Sequence, residues 1–330
     1  MTEIKTYSPK VSILIPVFNR KQFIAECIQS ALDQTYVNIE VVIVDNASDD
    51  GTWETCQQFA ALDQRVRVFR NETNIGPVRN WMRCVDEATG FYAKILWSDD
   101  LIAPYFVEKT LAFFDEQTAF VYSGVKIFSD RPEKGSRYYY IGDTGYYPSA
   151  VYIDQALFGK KVPVSPGCAI FRLRDLKMNL LIDVENQVNS DFSMHAIGND
   201  LLVFLLTCLN YKKIYFVAED LAYFRAHSGS ISVSSARGKL DLHYYLAKAF
   251  FVDRYIPNYR NKLASCIQLH LFLHSGTAKR YGMQDAQTFF NGPISVDLFF
   301  LLQAVVKRAG RLPMRVMRKL IHYFLNKILD

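Results

Sequence analysis

The sequence predicts an α/β protein, a mostly parallel sheet with helices on both faces, followed by a C-terminal region of helices alone. Short apolar strand-like runs alternate with helix-like segments through the first hundred residues, joined by short connections. Beyond His227 strand-like runs stop and the charge changes sign: Met1–Ser235 carries 23 Lys/Arg against 28 Asp/Glu, Ala236–Asp330 carries 15 against 5. A boundary near Ser235 follows, dividing the chain into 1–235 and 236–330.

Val11–Pro16 reads as a buried strand, and Lys21–Gln34 as the helix after it. Glu40–Asp45 is a second strand ending on a carboxylate. Ser48-Asp-Asp-Gly-Thr52 then supplies helix-start chemistry, with Asp50 as N-cap, for a helix to about Leu62. Val66–Arg70 is a third strand, Gly76–Ala88 a third helix, and Phe91–Trp97 a fourth strand that runs into Ser98-Asp99-Asp100. A helix over about Tyr105–Glu116 leads to a strand near Phe120–Ser123. The stretch Asp130–Pro148, rich in Gly, Tyr and Pro, reads as a long loop. Val162–Phe171 is a turn feeding a short strand. Gly198-Asn-Asp200 opens an apolar helix to Leu209, Lys213–Val217 is another strand, and helices resume near Lys239.

Composition narrows the function. Of 330 residues, 50% are hydrophobic, 14% aromatic and 22% charged, which excludes a disordered chain, a collagen repeat and a heptad rod. No apolar run approaches the roughly 18 residues of a membrane span, and Met1–Lys10 lacks the apolar core of a secretory signal. Six scattered cysteines without a CxxC pair read as reduced, buried thiols, so a cytoplasmic protein is expected. An acidic body argues against a nucleic-acid partner, because phosphate backbones need clustered cations.

In parallel sheets ligands bind beyond the carboxyl ends of the strands, and Asn19, Asp45, Asp99 and Asp100 all fall there. Adjacent carboxylates repel unless a cation or proton separates them. For Asp99 and Asp100 the partner could be a hard divalent ion whose shell is completed by phosphate oxygens; the alternative is a helix cap before Pro104. Asp45 reads either as an acceptor for a base N–H or ribose hydroxyl, or as a turn residue closing its strand. His270 and His274 share a helix face at i, i+4. Without a zinc-protease Glu or an evident third ligand, they read as ordinary helix residues. Ser165 and Ser228 lack the G-x-S-x-G frame. Neither G-x-G-x-x-G after the first strand nor GxxxxGK[ST] is present.

Six segments together resemble glycosyltransferase family 2 and its GT-A nucleotide-sugar fold. They are Ile15-Pro-Val-Phe-Asn-Arg20, Val44-Asp-Asn-Ala-Ser-Asp-Asp-Gly-Thr52, Asn74-Ile-Gly-Pro-Val-Arg-Asn80, Trp97-Ser-Asp-Asp100, Gly198-Asn-Asp200 and Tyr223-Phe-Arg-Ala-His-Ser-Gly-Ser-Ile-Ser232. The resemblance covers about residues 9–232. It implies that Pro16, Phe18 and Asp45 line a pocket for base and ribose, that Arg79 lies near the base or diphosphate, and that Asn19, Arg20 and Asn74 belong to the nucleotide-sugar site. It makes Asp99 and Asp100 the DxD-type carboxylates, with Asp100 foremost on a Mn²⁺ or Mg²⁺. Asp200 takes the place of the general base, and Arg225 and His227 close over diphosphate or metal. Two residues depart from the pattern: Trp97 stands where many members carry an Asp, and Asn199 where a Glu is common.

The resemblance implies an inverting transfer from a nucleotide sugar, UDP-linked by preference, to a glycan or lipid-linked acceptor in bacterial surface polysaccharide synthesis. The alternatives are a non-catalytic nucleotide-sugar-binding or scaffold subunit, which Trp97 keeps open, and a sugar nucleotidyltransferase, which lacks its glycine-rich triphosphate loop here. The tail has its own pattern. Leu298–Leu329 holds seven Lys/Arg and no acidic residue. A last helix from Pro313 would divide into an apolar and a basic face, suited to an anionic membrane surface through 311–329 or to packing on the catalytic domain.

Overall fold

A computed structural model describes residues 8–230, 238–297, 299–301 and 303. The expected membrane-facing helix at 311–329, the boundary at Ser235 and the motif residues Ile231 and Ser232 lie outside them. The chain divides into two compact units, residues 1–183 with 192–233, and residues 184–191 with 234–330.

The first unit opens with β1 (Val11–Val17), α1 (Ile24–Leu32), β2 (Ile39–Asp45), α2 (Thr52–Leu62), β3 (Val66–Arg70), α3 (Pro77–Glu87) and β4 (Tyr92–Ile95). Every residue of β1 and β2 is buried, as strands covered on both faces must be. β3, β2, β1 and β4 lie side by side in that order, all parallel. The register sets Val17 beside Asp45 and Asp45 beside Arg70, so the three strands end level.

The remainder of this unit is β5 (Leu101–Ile102), α4 (Phe106–Leu111), β6 (Thr118–Phe128), β7 (Ser136–Tyr138), β8 (Gly145–Pro148), α5 (Ser149–Phe158), β9 (Ala169–Arg172), α6 (Leu173–Asn179), α7 (Phe192–His195), α8 (Asn199–Leu209) and β10 (Lys213–Arg225). Antiparallel β9 joins β4 to β6, and β6 pairs in parallel with β10. The sheet is therefore parallel in one half and mixed in the other. α8 is buried from Asn199 to Cys208 and packs on α5, α6 and β6. There Phe204 meets Phe120 at 4.8 Å and Phe171 at 5.2 Å between ring centres, contacts worth about 0.5–1.5 kcal/mol each beyond area burial.

Asp130–Pro148, expected as a loop, carries β7 and β8 on the flanks of β6 and β10. Its tyrosines explain the difference. Tyr146 sets its ring edge-on to Tyr215 at 4.7 Å, and the Tyr140 hydroxyl donates to Asp220 at 2.5 Å. Strands of three and four residues are too short to show a period between glycines and prolines. β10 runs to Arg225 rather than ending at Val217, because register shifts between Val217 and Ala222 let one bulged strand stay paired with β6. α4 ends at Leu111, five residues before the expected end.

Glu40 pins the parallel half. Burial opposes its charge, yet hydrogen bonds from Ser12, Lys10 and Thr89 outweigh that and hold its carboxyl down to about 2. A carboxylate lowered on folding contributes stability above its unfolded value, near 4.5, and loses it as pH falls toward 2. Glu40→Gln is expected to cost about 1–3 kcal/mol at pH 7. That deficit should shrink as unfolding is measured from pH 4.5 downward.

The second unit holds α9 (Lys239–Tyr255), α10 (Arg260–Leu273) and α11 (Ser275–Arg280). Residues 184–191 belong to it although they fall between α6 and α7 of the first unit. Gln187 Nε2 donates to the Phe290 carbonyl at 2.7 Å. No helix among the described residues is long and apolar enough to cross a membrane, and all six cysteines are unbridged, five of them buried.

Candidate active site

The ends of β1, β2, β4 and β10 gather most of the polar residues singled out by sequence. After β1 the chain turns through Asn19 at φ +51°, and after β2 through Ala47 at φ +63°. Left-handed backbone at non-glycine positions carries strain, and such positions cluster at functional sites. The two turns are tied together: Asn19 N donates to Ser48 Oγ at 2.9 Å, Asp49 N to Asn19 Oδ1 at 3.1 Å, and Arg20 N to Thr52 Oγ1 at 2.8 Å. Asp50 accepts from Thr52 N at 2.9 Å and Lys21 N at 3.1 Å, but it is not the expected N-cap: Gly51, at φ +94°, takes that position and Asp50 lies one residue before it, bracing the turn.

Asp45 is fully buried. Its Oδ2 faces Arg70 Nε at 3.2 Å and accepts from Ser48 N at 3.1 Å. Its Oδ1 is buried and accepts no hydrogen bond among the described residues, an arrangement that costs free energy unless a donor arrives. Pro16 lies buried inside β1 beside Val44, whereas the Phe18 ring is 41% exposed at the strand's end.

β4 delivers Asp99 and Asp100. Asp99 Oδ2 lies 2.8 Å from His227 Nε2 and 3.7 Å from Arg20 Nε. Asp100 is 6% exposed and accepts from Arg225 N at 2.8 Å. Arg225 bridges further, donating from Nε to the Asp99 carbonyl at 3.1 Å and from Nη2 to Glu26 at 2.6 Å. Burial, then the adjacent Asp99 charge, pushes the Asp100 carboxyl well above the usual carboxylate range. Two adjacent carboxylates offer only hard oxygen donors at a place where a second negative charge is disfavoured, and that donor set fits Mn²⁺ or Mg²⁺.

Trp97 takes no part in such a donor set. Its Nε1 donates to Ser165 Oγ at 2.8 Å, and its ring packs on Trp81 with centres 4.7 Å apart. Lys94 is fully buried, with its Nζ donating to the carbonyls of Gly167 and of Ile95 and lying 4.7 Å from the Phe106 ring centre. Burial holds that ammonium down to about 8.

Asn74, Arg79 and Asp200 are placed by other elements. Asn74 Oδ1 accepts from Asn46 Nδ2 at 2.8 Å and Gly76 N at 3.0 Å, holding the turn before α3. Arg79 Nη1 donates to Ser193 Oγ at 2.6 Å, and its Nη2 lies 3.9 Å from Asp183. Asp200, 7% exposed in the first turn of α8, accepts at Oδ1 from Gly198 N (3.0 Å) and Leu201 N (2.8 Å). Tyr139 stands near enough that Asp200 adds to the upward shift of its phenol, behind burial and Cys168. Tyr139 itself has φ +66°. Asn199 donates to the Leu181 carbonyl at 2.8 Å, while its Oδ1 is buried and accepts nothing among the described residues.

Sequence reasoning missed Arg70, Glu26, Lys94 and a buried asparagine network. Asn71 Nδ2 donates to Asn46 Oδ1 and Asn80 Oδ1, both at 2.8 Å, and Asn80 Nδ2 donates to the Val44 carbonyl at 3.0 Å. Arg70 ends its strand as Asp45 ends its own, so parallel register was a usable signal. Lys94 was visible as one cation inside the apolar run Phe91–Trp97. Nothing in the sequence pairs Glu26 with Arg225, 199 residues away.

The family model described as glycosyl transferase family 2 matches residues 12–178. Glycosyltransferase GlyG of Streptococcus pneumoniae is 28% identical over 224 residues, 68% of this chain and 73% of GlyG. Putative glycosyltransferase EpsE of Bacillus subtilis is 34% identical over 132 residues, 39% of this chain; the match spans 48% of EpsE, under half its length. Among solved structures, S. aureus TarS 1–349 in complex with UDP-GlcNAc superposes with a TM-score of 0.61 at 18% identity, covering 93% of this chain and 82% of that one. This last likeness is one of fold.

Proposed function

Because the chain belongs to glycosyl transferase family 2 and is a glycosyltransferase of GT-A fold, we propose that it moves a sugar from a nucleoside diphosphate sugar to a hydroxyl of a glycan or lipid-linked acceptor. The observation carrying this reading is the pair Asp99–Asp100 at the end of β4, faced by Arg20, Arg225 and His227. A UDP-linked donor is the preferred one, supported by the UDP-GlcNAc held by TarS. Surface polysaccharide assembly is the preferred setting, in line with a relative described as a putative teichuronic acid biosynthesis glycosyltransferase.

In this reading the vacant acceptor Asp45 Oδ1 takes an N–H of the base or a ribose hydroxyl, with Arg70 fixing the carboxylate's other oxygen. Asp99 and Asp100 would hold Mn²⁺ or Mg²⁺, which when bound relieves charge on the departing diphosphate. Arg20 and Arg225 add positive charge at the same rim, and His227 offers a ring nitrogen to Asp99. Asp200 takes the proton of the acceptor hydroxyl as its oxygen attacks the anomeric carbon. The bond from that carbon to the diphosphate oxygen breaks on the opposite side, so configuration inverts. Trp97 fills the place of a further carboxylate, leaving two for the cation.

A panel of nucleotide sugars with Mn²⁺ tests this, read by melting temperature and by slow donor hydrolysis. A UDP-sugar should raise the melting temperature, since a ligand of the native state stabilises it, and should be turned over. A panel that shifts nothing overturns the donor reading. Binding without turnover in any acceptor mixture favours a non-catalytic nucleotide-sugar-binding subunit, the alternative consistent with Trp97.

For the basic stretch 311–329, outside the described residues, the reading is docking on an anionic membrane at the cytoplasmic face. The full chain is expected to co-sediment with phosphatidylserine-containing liposomes and a version ending at Gly310 to stay in solution. Equal sedimentation removes this segment from the reading.

A further inference from the structure

We propose that Asp241, His270 and His274 form a zinc site in the C-terminal helical unit, separate from the Asp99–Asp100 pair. Asp241 lies in the first turn of α9, three residues after the N-cap Gly238 at φ +86°. His270 lies in the last turn of α10, and His274 is the residue on which that helix ends. One ligand atom from each of the three residues falls within 4.8 Å of the other two. Asp241 Oδ2 is 3.9 Å from His270 Nδ1, and the imidazole centres are 4.4 Å apart at 33° between planes.

Read along the chain, the histidines lack a third ligand; the fold supplies it from a different helix, 29 residues upstream of His270. Two imidazoles and one carboxylate are the nitrogen–oxygen set that suits zinc, whereas Mn²⁺ and Mg²⁺ prefer oxygen alone. A tetrahedral zinc with bonds of about 2.1 Å sets its ligand atoms about 3.4 Å apart. Binding therefore draws the three together by up to about 1.4 Å at the widest pair, a movement within side-chain rotation. The supports are unequal in a useful way. His270 is 3% exposed and packs on the Tyr245 ring at 5.3 Å. His274 sits so close to Gly238 that a Cβ there would come within 3.2 Å of its Cγ. Asp241, with its side chain 65% exposed, is the mobile ligand and leaves a face open to a water as fourth ligand.

The test uses the full chain without an affinity tag, stripped by chelator and titrated with Co²⁺ as a spectroscopic stand-in, then with Zn²⁺. The expected result is the intense visible absorption of four-coordinate cobalt at one equivalent, displaced by zinc. Asp241→Asn and His274→Gln, neither at a buried position, should each weaken zinc by about tenfold or more while keeping the wild-type circular dichroism. An Asp99→Asn/Asp100→Asn variant should keep the cobalt spectrum, as should Cys266→Ser, which removes the nearest thiol along α10. The proposal falls if no such absorption develops, if Asp241→Asn and His274→Gln bind zinc as wild type does, or if the signal vanishes with Asp99 and Asp100 or with Cys266.

Discussion

Asp100→Asn is expected to lower sugar transfer by about 10²–10³-fold, the several kcal/mol that charge neutralisation at a departing diphosphate supplies, while yielding a protein that melts higher in metal-free buffer. The two effects have one cause. Asp100 is 6% exposed beside another carboxylate, and its pKa is raised on folding. A carboxyl raised in this way binds its proton more tightly in the native state. It therefore costs stability as pH climbs from the ordinary carboxylate range toward its folded value. Asparagine removes that cost and keeps an oxygen to accept from Arg225 N, now 2.8 Å away. Each kcal/mol regained should raise the melting temperature by roughly 2–4 °C. Added Mn²⁺ should stabilise wild type and leave the variant unmoved. Measuring turnover and melting on one preparation checks the linkage; a variant that keeps its activity, or melts lower at pH 8 without metal, refutes it.

Asp200→Asn is expected to reduce kcat by about 10²–10⁴-fold, the usual contribution of a general base, with KM little changed. Asparagine is a suitable test here because it keeps the side chain's shape and its Oδ1 acceptor. The oxygen that accepts from Gly198 N and Leu201 N is retained, so the start of α8 keeps both hydrogen bonds. The capacity to take a proton is lost. If kcat holds within an order of magnitude, Asp200 is a helix-start residue and the base lies elsewhere.

The parallel half of the sheet was legible because its signals are local: apolar runs of five to seven residues, each closed by a polar residue past its carboxyl end. For the same reason Asn19, Asp45, Asp99 and Asp100 could be named from sequence. What escaped depends on distance in the chain. Arg225 reaches Glu26 from a strand 199 residues on, and β7 and β8 exist only because β6 and β10 offer them edges. Arg79 and Asn74 fall within the motif the resemblance rests on, yet their polar atoms are engaged by Ser193 and by the turn before α3. Lys94 was passed over inside an otherwise apolar run because its partners are main-chain carbonyls, which leave no mark in a sequence.

The crossing of the two units at residues 184–191 bears on how this protein can be dissected or recombined. Cutting after residue 233 looks like removal of a tail, but it deprives Gln187 of the Phe290 carbonyl. The orphaned stretch runs directly into α7 and then to Asp200. Loss of turnover in such a fragment would thus combine damage to its own lead-in with any duty of the discarded helices, and a chimera that grafts a foreign C-terminus must carry a matching 184–191 with it.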